Sequence, residues 1–333
     1  MKVLSVKDLK MYYRTKMGYV KAVDGISFDL EEGESLGIVG ESGCGKTSVS
    51  MTILRLLPDN AEFMGGHVFF NDGNGEVDLV TLPESEMRKY RWKGISMIFQ
   101  AAMNSLNPVY KVGDQIVEAL LNHYPNMSID KAREKVAQLF RLVGLDPRRM
   151  DQYPHQYSGG MKQRAIIAMA LACDPRIIIA DEPTTALDVI VQDRILKEMK
   201  KIQKRLNMAM IYISHDIAVI AEVSDKIAVM YAGKFVEHAD SVTIFKKPAH
   251  PYTYGLMHAF PSVAGEKTEL TTIPGEPPDL LNPPKGCRFA PRCPRATKEC
   301  LEKEPPYEEI EPGHFIACFN PLKPGEVVTF DEK

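Results

Sequence analysis

The sequence predicts an α/β fold with a mainly parallel sheet, and three observations favour it. A glycine-rich loop joins a short apolar segment, residues 35–39, to a helical segment that extends to Leu57. Two mostly apolar runs, residues 176–180 and 210–214, have the composition of parallel strands buried on both faces. Segments with helical periodicity alternate with these runs, as they do in βαβ units.

The remaining segments fit this fold class in chain order. Alternation of apolar and polar residues predicts strands near the N-terminus, and helical periodicity dominates from residue 108 to about residue 172. Ser128 is placed to cap one of these helices, and Gly144 to end it. The predicted strands also include 3–9, 22–30, 66–70, 77–79, 94–100 and 227–231, and the predicted helices are 112–123, 131–143, 161–172 and 188–206.

Composition excludes several classes of protein. The hydrophobic content is 44%, the charged content is 26% and the formal net charge is −3, so nothing global favours nucleic-acid binding. No apolar run approaches the roughly 18 residues needed to span a bilayer, and the N-terminus becomes charged too soon for a signal peptide. We therefore expect a cytoplasmic chain that reaches a membrane only through a partner.

The composition changes after about residue 247, which predicts a domain boundary. Residues 248–325 hold 15 of the 23 prolines and have little regular periodicity. We expect one domain over residues 1–250, with a helical subdomain at about 101–172, and a second over 251–333. The second domain is predicted to be irregular and to need a cross-link to hold its shape.

Residues 40–47 match G-x-x-x-x-G-K-[ST], the phosphate-binding P-loop. Backbone N–H groups and the dipole of the following helix attract phosphate. The residues expected to bind the nucleotide in this way are Gly40, Ser42, Gly43, Cys44, Gly45 and Ser48. Lys46 is expected to reach the β- and γ-phosphates of a nucleotide, and Thr47 to bind Mg²⁺. The alternative is a glycine turn with an incidental lysine, which the flanking strand and helix disfavour.

Polar residues end or follow three of the predicted strands, where an α/β sheet binds its ligands. Asp181 is expected to hold Mg²⁺ and Glu182 to act on the attacking water, although an acidic turn before Pro183 is the simpler alternative. Gln100 is a weak Mg²⁺ ligand and suits a sensor between a ligand and a moving subdomain. His215, alone, would more often be structural.

Ser158, Gly159 and Gly160 form a second helix start that could bind an anion. Nothing else within the chain requires it, and a plain helix cap is an equal alternative.

The order of these motifs resembles the ATP-binding subunits of ABC transporters over about residues 1–250. Residues 157–164 are similar to the family's signature motif, with Met161 where Gln is commoner, residues 186–188 to its D-loop and residues 214–216 to its H-loop. The spacing before Ala22 makes Tyr13 the adenine-stacking aromatic, ahead of Tyr19. The resemblance implies a RecA-like core sheet, an N-terminal antiparallel β-subdomain and a helical subdomain.

The resemblance also implies a shared mechanism. Two ATPase subunits face head to tail, and Ser158, Gly159, Gly160 and Asp188 act in trans on the nucleotide of the partner. Glu182, Gln100 and His215 are then the catalytic residues, and Thr47, Gln100 and Asp181 hold Mg²⁺. The partner ATPase is either identical or a paralogue. Two membrane permeases and an external binding protein complete the transporter, and the chain lies at the cytoplasmic face of the membrane.

Four cysteines, Cys287, Cys293, Cys300 and Cys318, cluster in the proline-rich tail. Their gaps of 5, 6 and 17 residues lack the C-x2-4-C pairs of zinc sites, and spacing alone leaves an iron–sulfur cluster, zinc and disulfides open. The tail resembles the C-terminal extension of oligopeptide and dipeptide transporter ATPases, through residues 250–253, 274–278 and 286–294. That resemblance implies peptide import and a [4Fe–4S] cluster on the four thiols, ahead of zinc.

Three other functions remain in competition. A different P-loop enzyme, such as a kinase, would leave the helix start at Ser158, Gly159 and Gly160 unexplained. A related importer for a nickel chelate or an oligosaccharide would share the same motifs. A soluble ABC ATPase outside transport usually has two cassettes or a long coiled coil, and the sequence shows neither.

Overall fold

The computed structural model describes residues 1–185, 187–259 and 273–330. It divides the chain into two compact units. Unit 1 comprises Met1–Leu4, Asp29–Ser35 and Phe69–Ile213, and unit 2 comprises Ser5–Phe28, Leu36–Val68 and Ser214–Lys333. None of the helices in the described ranges is long and apolar enough to cross a membrane.

The elements follow the alternation that the sequence predicts. The strands are β1 (Lys2–Thr15), β2 (Gly18–Glu31), β3 (Ser35–Val39), β4 (Ala61–Asn71), β5 (Glu76–Asp78), β6 (Ile95–Ile98), β7 (Ile177–Asp181), β8 (Ala209–Ile213), β9 (Lys226–Tyr231), β10 (Lys234–Asp240), β11 (Glu308–Glu311) and β12 (His314–Ile316). The α-helices are α1 (Lys46–Ile53), α2 (Glu84–Tyr90), α3 (Val112–His123), α4 (Ile129–Leu142), α5 (Gly159–Leu171), α6 (Val189–Leu206), α7 (Ile217–Val223), α8 (Ser241–Lys246), α9 (Pro251–His258) and α10 (Lys298–Glu302).

Unit 1 contains a parallel three-stranded segment of sheet. β7 pairs with β6 on one side, with Ile95 opposite Ile177, and with β8 on the other, with Ile177 opposite Ala209. Every residue of β7 and β8 is buried. This explains why β8 and the first four residues of β7 are apolar, because a strand covered on both faces has no solvent-exposed side.

The helical part of unit 1 lies between β6 and β7. α3, α4 and α5 pack against one another. Ser128 caps α4 by accepting a hydrogen bond from the N–H of Lys131. Gly144 follows the helix with a φ of 72°, a conformation that glycine adopts without strain. The predicted cap and end of this helix are both confirmed.

Unit 2 contains a parallel pair and an antiparallel extension. β3 pairs in parallel with β9, β9 pairs antiparallel with β10, and β12 and β11 follow antiparallel beyond it. The C-terminal region therefore contributes strands to a sheet, where the sequence predicted an irregular domain. β11 and β12 are only 4 and 3 residues long, which is too short for alternation to be recognised. In the same unit, β2, β1 and β4 are neighbours in one sheet.

The helix after the P-loop is shorter than predicted. The pattern predicts a helix that extends to Leu57, but α1 ends at Ile53. Arg55 has a φ of 52°, so the backbone leaves the helical region before Pro58.

Candidate functional site

The P-loop connects β3 to α1 in unit 2, and its glycines are required by crowding. A Cβ atom at Gly40 would lie 2.1 Å from the carbonyl oxygen of Met230. One at Gly45 would lie 2.0 Å from the carbonyl oxygen of Ala22. Both glycines also have positive φ, 155° and 107°, so a side chain is excluded at each by space and by conformation.

Lys46 is folded back onto the loop that precedes it. Its ammonium group donates hydrogen bonds to the carbonyl oxygens of Gly40 at 2.7 Å and Glu41 at 2.9 Å, and the residue is only 7% exposed. Cys44 is also buried, and desolvation raises the pKa of its thiol. Thr47 is exposed at the start of α1. A positive charge and a hydroxyl group are thus held at one helix N-terminus.

Two tyrosines contact this part of unit 2. The hydroxyl group of Tyr13, the predicted adenine-stacking residue, lies 3.0 Å from the hydroxyl of Ser48 in α1. Tyr19, the second candidate, instead donates to Glu62 at 2.8 Å. Tyr252 was not predicted as a site residue, and its hydroxyl accepts a hydrogen bond from the N–H of Glu41 at 3.0 Å. It is separated from Glu41 by 211 residues, and no local pattern could have indicated this contact.

Asp181, Glu182 and Gln100 lie at strand ends in unit 1. Asp181 is the last residue of β7 and is 1% exposed. Glu182 follows with a φ of 46°, and its N–H donates to the carbonyl oxygen of Ile213 at 2.8 Å. Its carboxylate accepts hydrogen bonds from Gln100 at 2.9 Å and from Thr185 at 3.1 Å. The structure therefore brings Gln100 and Glu182 together, although 82 residues separate them.

The signature helix start in unit 1 is open to solvent. Ser158 is the N-cap of α5 and accepts a hydrogen bond from the N–H of Met161. Ser158 and Gly159 are exposed, and a Cβ atom at Gly160 would approach Val191 to 3.0 Å. An exposed, capped helix start with two glycines can accept an anion from another molecule.

The other predicted site residues have these positions. Asp188 is exposed and caps α6 by accepting a hydrogen bond from the N–H of Val191 at 3.0 Å. His215 is exposed and comes shortly after β8. Ala186, the first residue of the predicted D-loop, lies outside the described residues. Unit 1 holds Gln100, Ser158, Gly159, Gly160, Asp181, Glu182 and Asp188, and unit 2 holds Tyr13, the P-loop residues, His215 and the four C-terminal cysteines.

All four C-terminal cysteines line one small cavity of about 10 Å³, which is room for about one water molecule. None of them forms a disulfide bond. Burial raises the pKa of the Cys293 thiol to about 11 and that of Cys318 to about 12. Among the described residues there is no group of three or more His, Cys, Asp or Glu side chains arranged to hold a metal ion. The thiols are thus neighbours, but they are not in ligand geometry.

Two family models match the chain. The ABC transporter model matches residues 23–185, which include the P-loop, the signature helix start and Glu182. The model of the oligopeptide/dipeptide transporter C-terminal region matches residues 236–300, which include three of the four cysteines.

Curated relatives match over nearly the full chain. The dipeptide transport ATP-binding protein DppD of Lactococcus lactis is 48% identical over 94% of this chain and 89% of the relative. The oligopeptide transport ATP-binding protein OppD of Escherichia coli is 46% identical over 96% of this chain and 94% of its own. DppD of Bacillus subtilis is 49% identical over 96% of this chain and 94% of the relative.

Solved structures match the cassette part of the chain. Two dimeric structures of the ATP-binding cassette MJ0796, one in a post-hydrolysis state with ADP and Pi, have TM-scores of 0.63 and 0.62 at 27% identity. They cover 72% of this chain and 98% of the cassette chain, and they confirm the predicted ABC ATPase fold. Together with the relatives and the family models, these structures show that the chain belongs to the ATP-binding subunits of ABC transporters, in the group that carries the oligopeptide/dipeptide transporter C-terminal region.

Proposed function

We propose that this chain hydrolyses ATP to power the import of dipeptides or oligopeptides across the cytoplasmic membrane. The observation that carries the proposal is the hydrogen bond from Gln100 to Glu182, a carboxylate that follows a fully buried β7. It gives a general base a fixed orientation at a strand end, where α/β sheets bind their ligands. The peptide cargo is supported by the names of the relatives and by the C-terminal family model.

The P-loop residues bind the phosphates in this proposal. The backbone N–H groups of Gly40, Ser42, Gly43, Cys44, Gly45 and Ser48 surround them, and Lys46 exchanges its two carbonyl partners for phosphate oxygens. The exchange is favourable because a charge-assisted hydrogen bond to an anion is stronger than one to a neutral carbonyl. Tyr13 stacks on the adenine. Its hydroxyl contact with Ser48 supports this role by holding the ring close to α1.

The carboxylates and polar residues perform the chemistry. Thr47, Asp181 and Gln100 hold Mg²⁺, which would neutralise charge on the phosphates. The burial of Asp181 supports this role, because an ionised carboxylate in a protein interior is stabilised by a cation. Glu182 accepts a proton from the attacking water, Gln100 orients the Glu182 carboxylate, and His215 contacts the transferred phosphate.

Ser158, Gly159, Gly160 and Asp188 act in trans. The exposure of the α5 start supports this, since an exposed helix start is accessible to a phosphate group on another subunit. The dimeric state of the matched cassette structures supports a paired arrangement. The partner is a second copy of the chain or a paralogue. Two permeases and an external peptide-binding protein complete the assembly, with this chain peripheral on the cytoplasmic face.

The cysteine cavity is proposed as the site of a [4Fe–4S] cluster, with zinc as the alternative metal. Cys287, Cys293, Cys300 and Cys318 line one cavity and form no disulfide bonds, which supports a common ligand for the four thiols. The cavity is too small for a cluster as it stands, so binding requires the segments that carry these residues to move apart. A cluster would cross-link the proline-rich region and add rigidity to it. We also propose that the boundary between the two domains lies at about residue 250.

The cargo is tested by transport in reconstituted vesicles. The chain is co-expressed with its permeases and partner ATPase, placed in proteoliposomes with the binding protein, and supplied with ATP. Uptake of dipeptides or oligopeptides is expected, and none is expected from the Lys46→Ala complex. Uptake of a nickel chelate or an oligosaccharide, without peptide uptake, would replace the cargo and leave the ATPase role intact.

A further inference from the structure

Arg292 of the C-terminal region forms a partly buried ion pair with Glu41 of the P-loop. Its two terminal nitrogens lie 2.8 Å and 3.0 Å from the two carboxylate oxygens of Glu41, so the contact is bidentate. The arginine side chain is 6% exposed and that of the glutamate is 26% exposed. A planar, two-bond contact of this kind fixes the orientation as well as the position of a carboxylate.

The guanidinium group is itself held by its surroundings. Its Nε donates to the carbonyl oxygen of Pro274 at 3.0 Å, and one terminal nitrogen donates to that of Ile273 at 3.2 Å. The other terminal nitrogen donates to the hydroxyl of Tyr231 at 3.3 Å. All three guanidinium nitrogens have protein partners besides Glu41. The guanidinium group is therefore pre-oriented, and it loses little conformational entropy when it binds the carboxylate.

Glu41 passes this constraint to Lys46. Its N–H donates to Tyr252, while its carbonyl oxygen accepts hydrogen bonds from the ammonium of Lys46 at 2.9 Å and from the N–H of Cys44 at 3.3 Å. Both the side chain and the N–H of Glu41 are thus held by C-terminal residues, and its carbonyl group holds the phosphate-binding lysine.

We propose that Arg292 is a positioning residue for nucleotide binding, which acts through Glu41 on the P-loop and on Lys46. The proposal rests on the role of Lys46 given above and extends it to a residue about 250 positions away. In this geometry the C-terminal region helps to hold the P-loop in its conformation. Since Arg292 directly precedes Cys293, the conformation of the cysteine segment and that of the P-loop are joined by one side chain.

The test compares two ion pairs of the same type. Arg295, three residues farther on, pairs with Glu326 and also donates to Asn320 at 3.0 Å, so it provides a matched control away from the P-loop. The variants are Arg292→Lys, Glu41→Gln and the double variant, with Arg295→Lys and Glu326→Gln as controls. Lysine keeps the positive charge but cannot make the bidentate contact.

The measurement is the Kd of a fluorescent ATP analogue on the full-length subunit, with the melting temperature recorded for each variant. We expect Arg292→Lys and Glu41→Gln each to raise the Kd about 5- to 20-fold, which lies at the lower end of typical coupling between sites. The double variant should be no weaker than the single variants, because either change removes the same link. The control variants should bind as the wild type does.

Two results would overturn the proposal. One is an unchanged Kd in both Arg292→Lys and Glu41→Gln. The other is an equal loss of affinity in the Arg295→Lys control at an equal loss of melting temperature, which would mean that the tail only stabilises the fold. Failure of the nucleotide site itself is recognised separately, because Lys46→Ala would then bind as the wild type does.

Discussion

The amide nitrogen of Gln100 lies 2.9 Å from a carboxylate oxygen of Glu182 and donates a hydrogen bond to it. The hydroxyl of Thr185 donates to the same oxygen at 3.1 Å. These two donors fix the orientation of the carboxylate that we propose as the general base. Gln100 also connects the end of the β6 region to the residue that we propose performs the chemistry.

Glu182→Gln should bind ATP and hydrolyse it about a hundredfold or more slowly. The amide is isosteric with the carboxylate, so binding is retained, but it cannot accept a proton from water. Phosphate release and nucleotide affinity are measured together, and size-exclusion chromatography with ATP should show a trapped dimer. Unchanged turnover would remove Glu182 from the role of base.

Lys46→Ala should lower nucleotide affinity at least about tenfold, because a charge-assisted contact to the phosphates is lost. Lys16→Ala is the matched control, since Lys16 is an exposed lysine in the turn between β1 and β2. Affinity is measured by equilibrium binding to the isolated subunit. Equal affinities for the two variants would exclude Lys46 from the site.

Ser158→Arg should leave ATP binding to the isolated subunit intact and suppress hydrolysis by the assembled transporter. Ser158 is exposed, so the larger side chain fits the monomer but occupies the place of a partner's nucleotide. His155→Arg adds the same group at another exposed position nearby and serves as the control. Loss of binding by the isolated Ser158→Arg subunit would contradict action in trans.

Protein purified without oxygen should contain iron and sulfide and absorb at about 400 nm, if the four cysteines hold a cluster. Cys293→Ser should lose both the colour and the iron. Colourless protein with stoichiometric zinc would favour the alternative metal, and protein without either metal would remove the site.

Metal-free protein should protect Cys293 and Cys318 from alkylation. The pKa of about 11 for Cys293 and about 12 for Cys318 lies well above pH 8, so almost no thiolate is present there in the folded chain. Labelling of these two residues at pH 8 should be about a hundredfold or more slower than in urea, where an ordinary cysteine pKa applies. Peptide mass spectrometry gives the rate at each residue, and rapid labelling of the folded, metal-free chain would show that these thiols are accessible.

The sequence predicts those elements of the fold whose pattern is local. β8 and the first four residues of β7 are apolar runs, and α4 carries its own cap in Ser128. The nucleotide motifs are equally local, and the ABC ATPase fold that they predict is confirmed. In contrast, the pairing of Glu41 with Arg292 joins residues 251 positions apart, and nothing in the flanking residues specifies it. Long-range ion pairs depend on how finished elements pack, which periodicity does not describe.

The C-terminal strands also determine how the chain can be shortened. β12 pairs along β10, and β11, which contains three glutamates and is fully exposed, forms the outer border of that sheet. A fragment that ends near residue 250 would leave the N–H and C=O groups of β10 open to strands from other molecules. Negative charge on a short edge strand disfavours pairing with strands of other molecules, whereas an uncharged, unpaired edge strand favours it. Removal of the tail would therefore expose the edge of β10, and the cassette should aggregate more readily when it is produced alone.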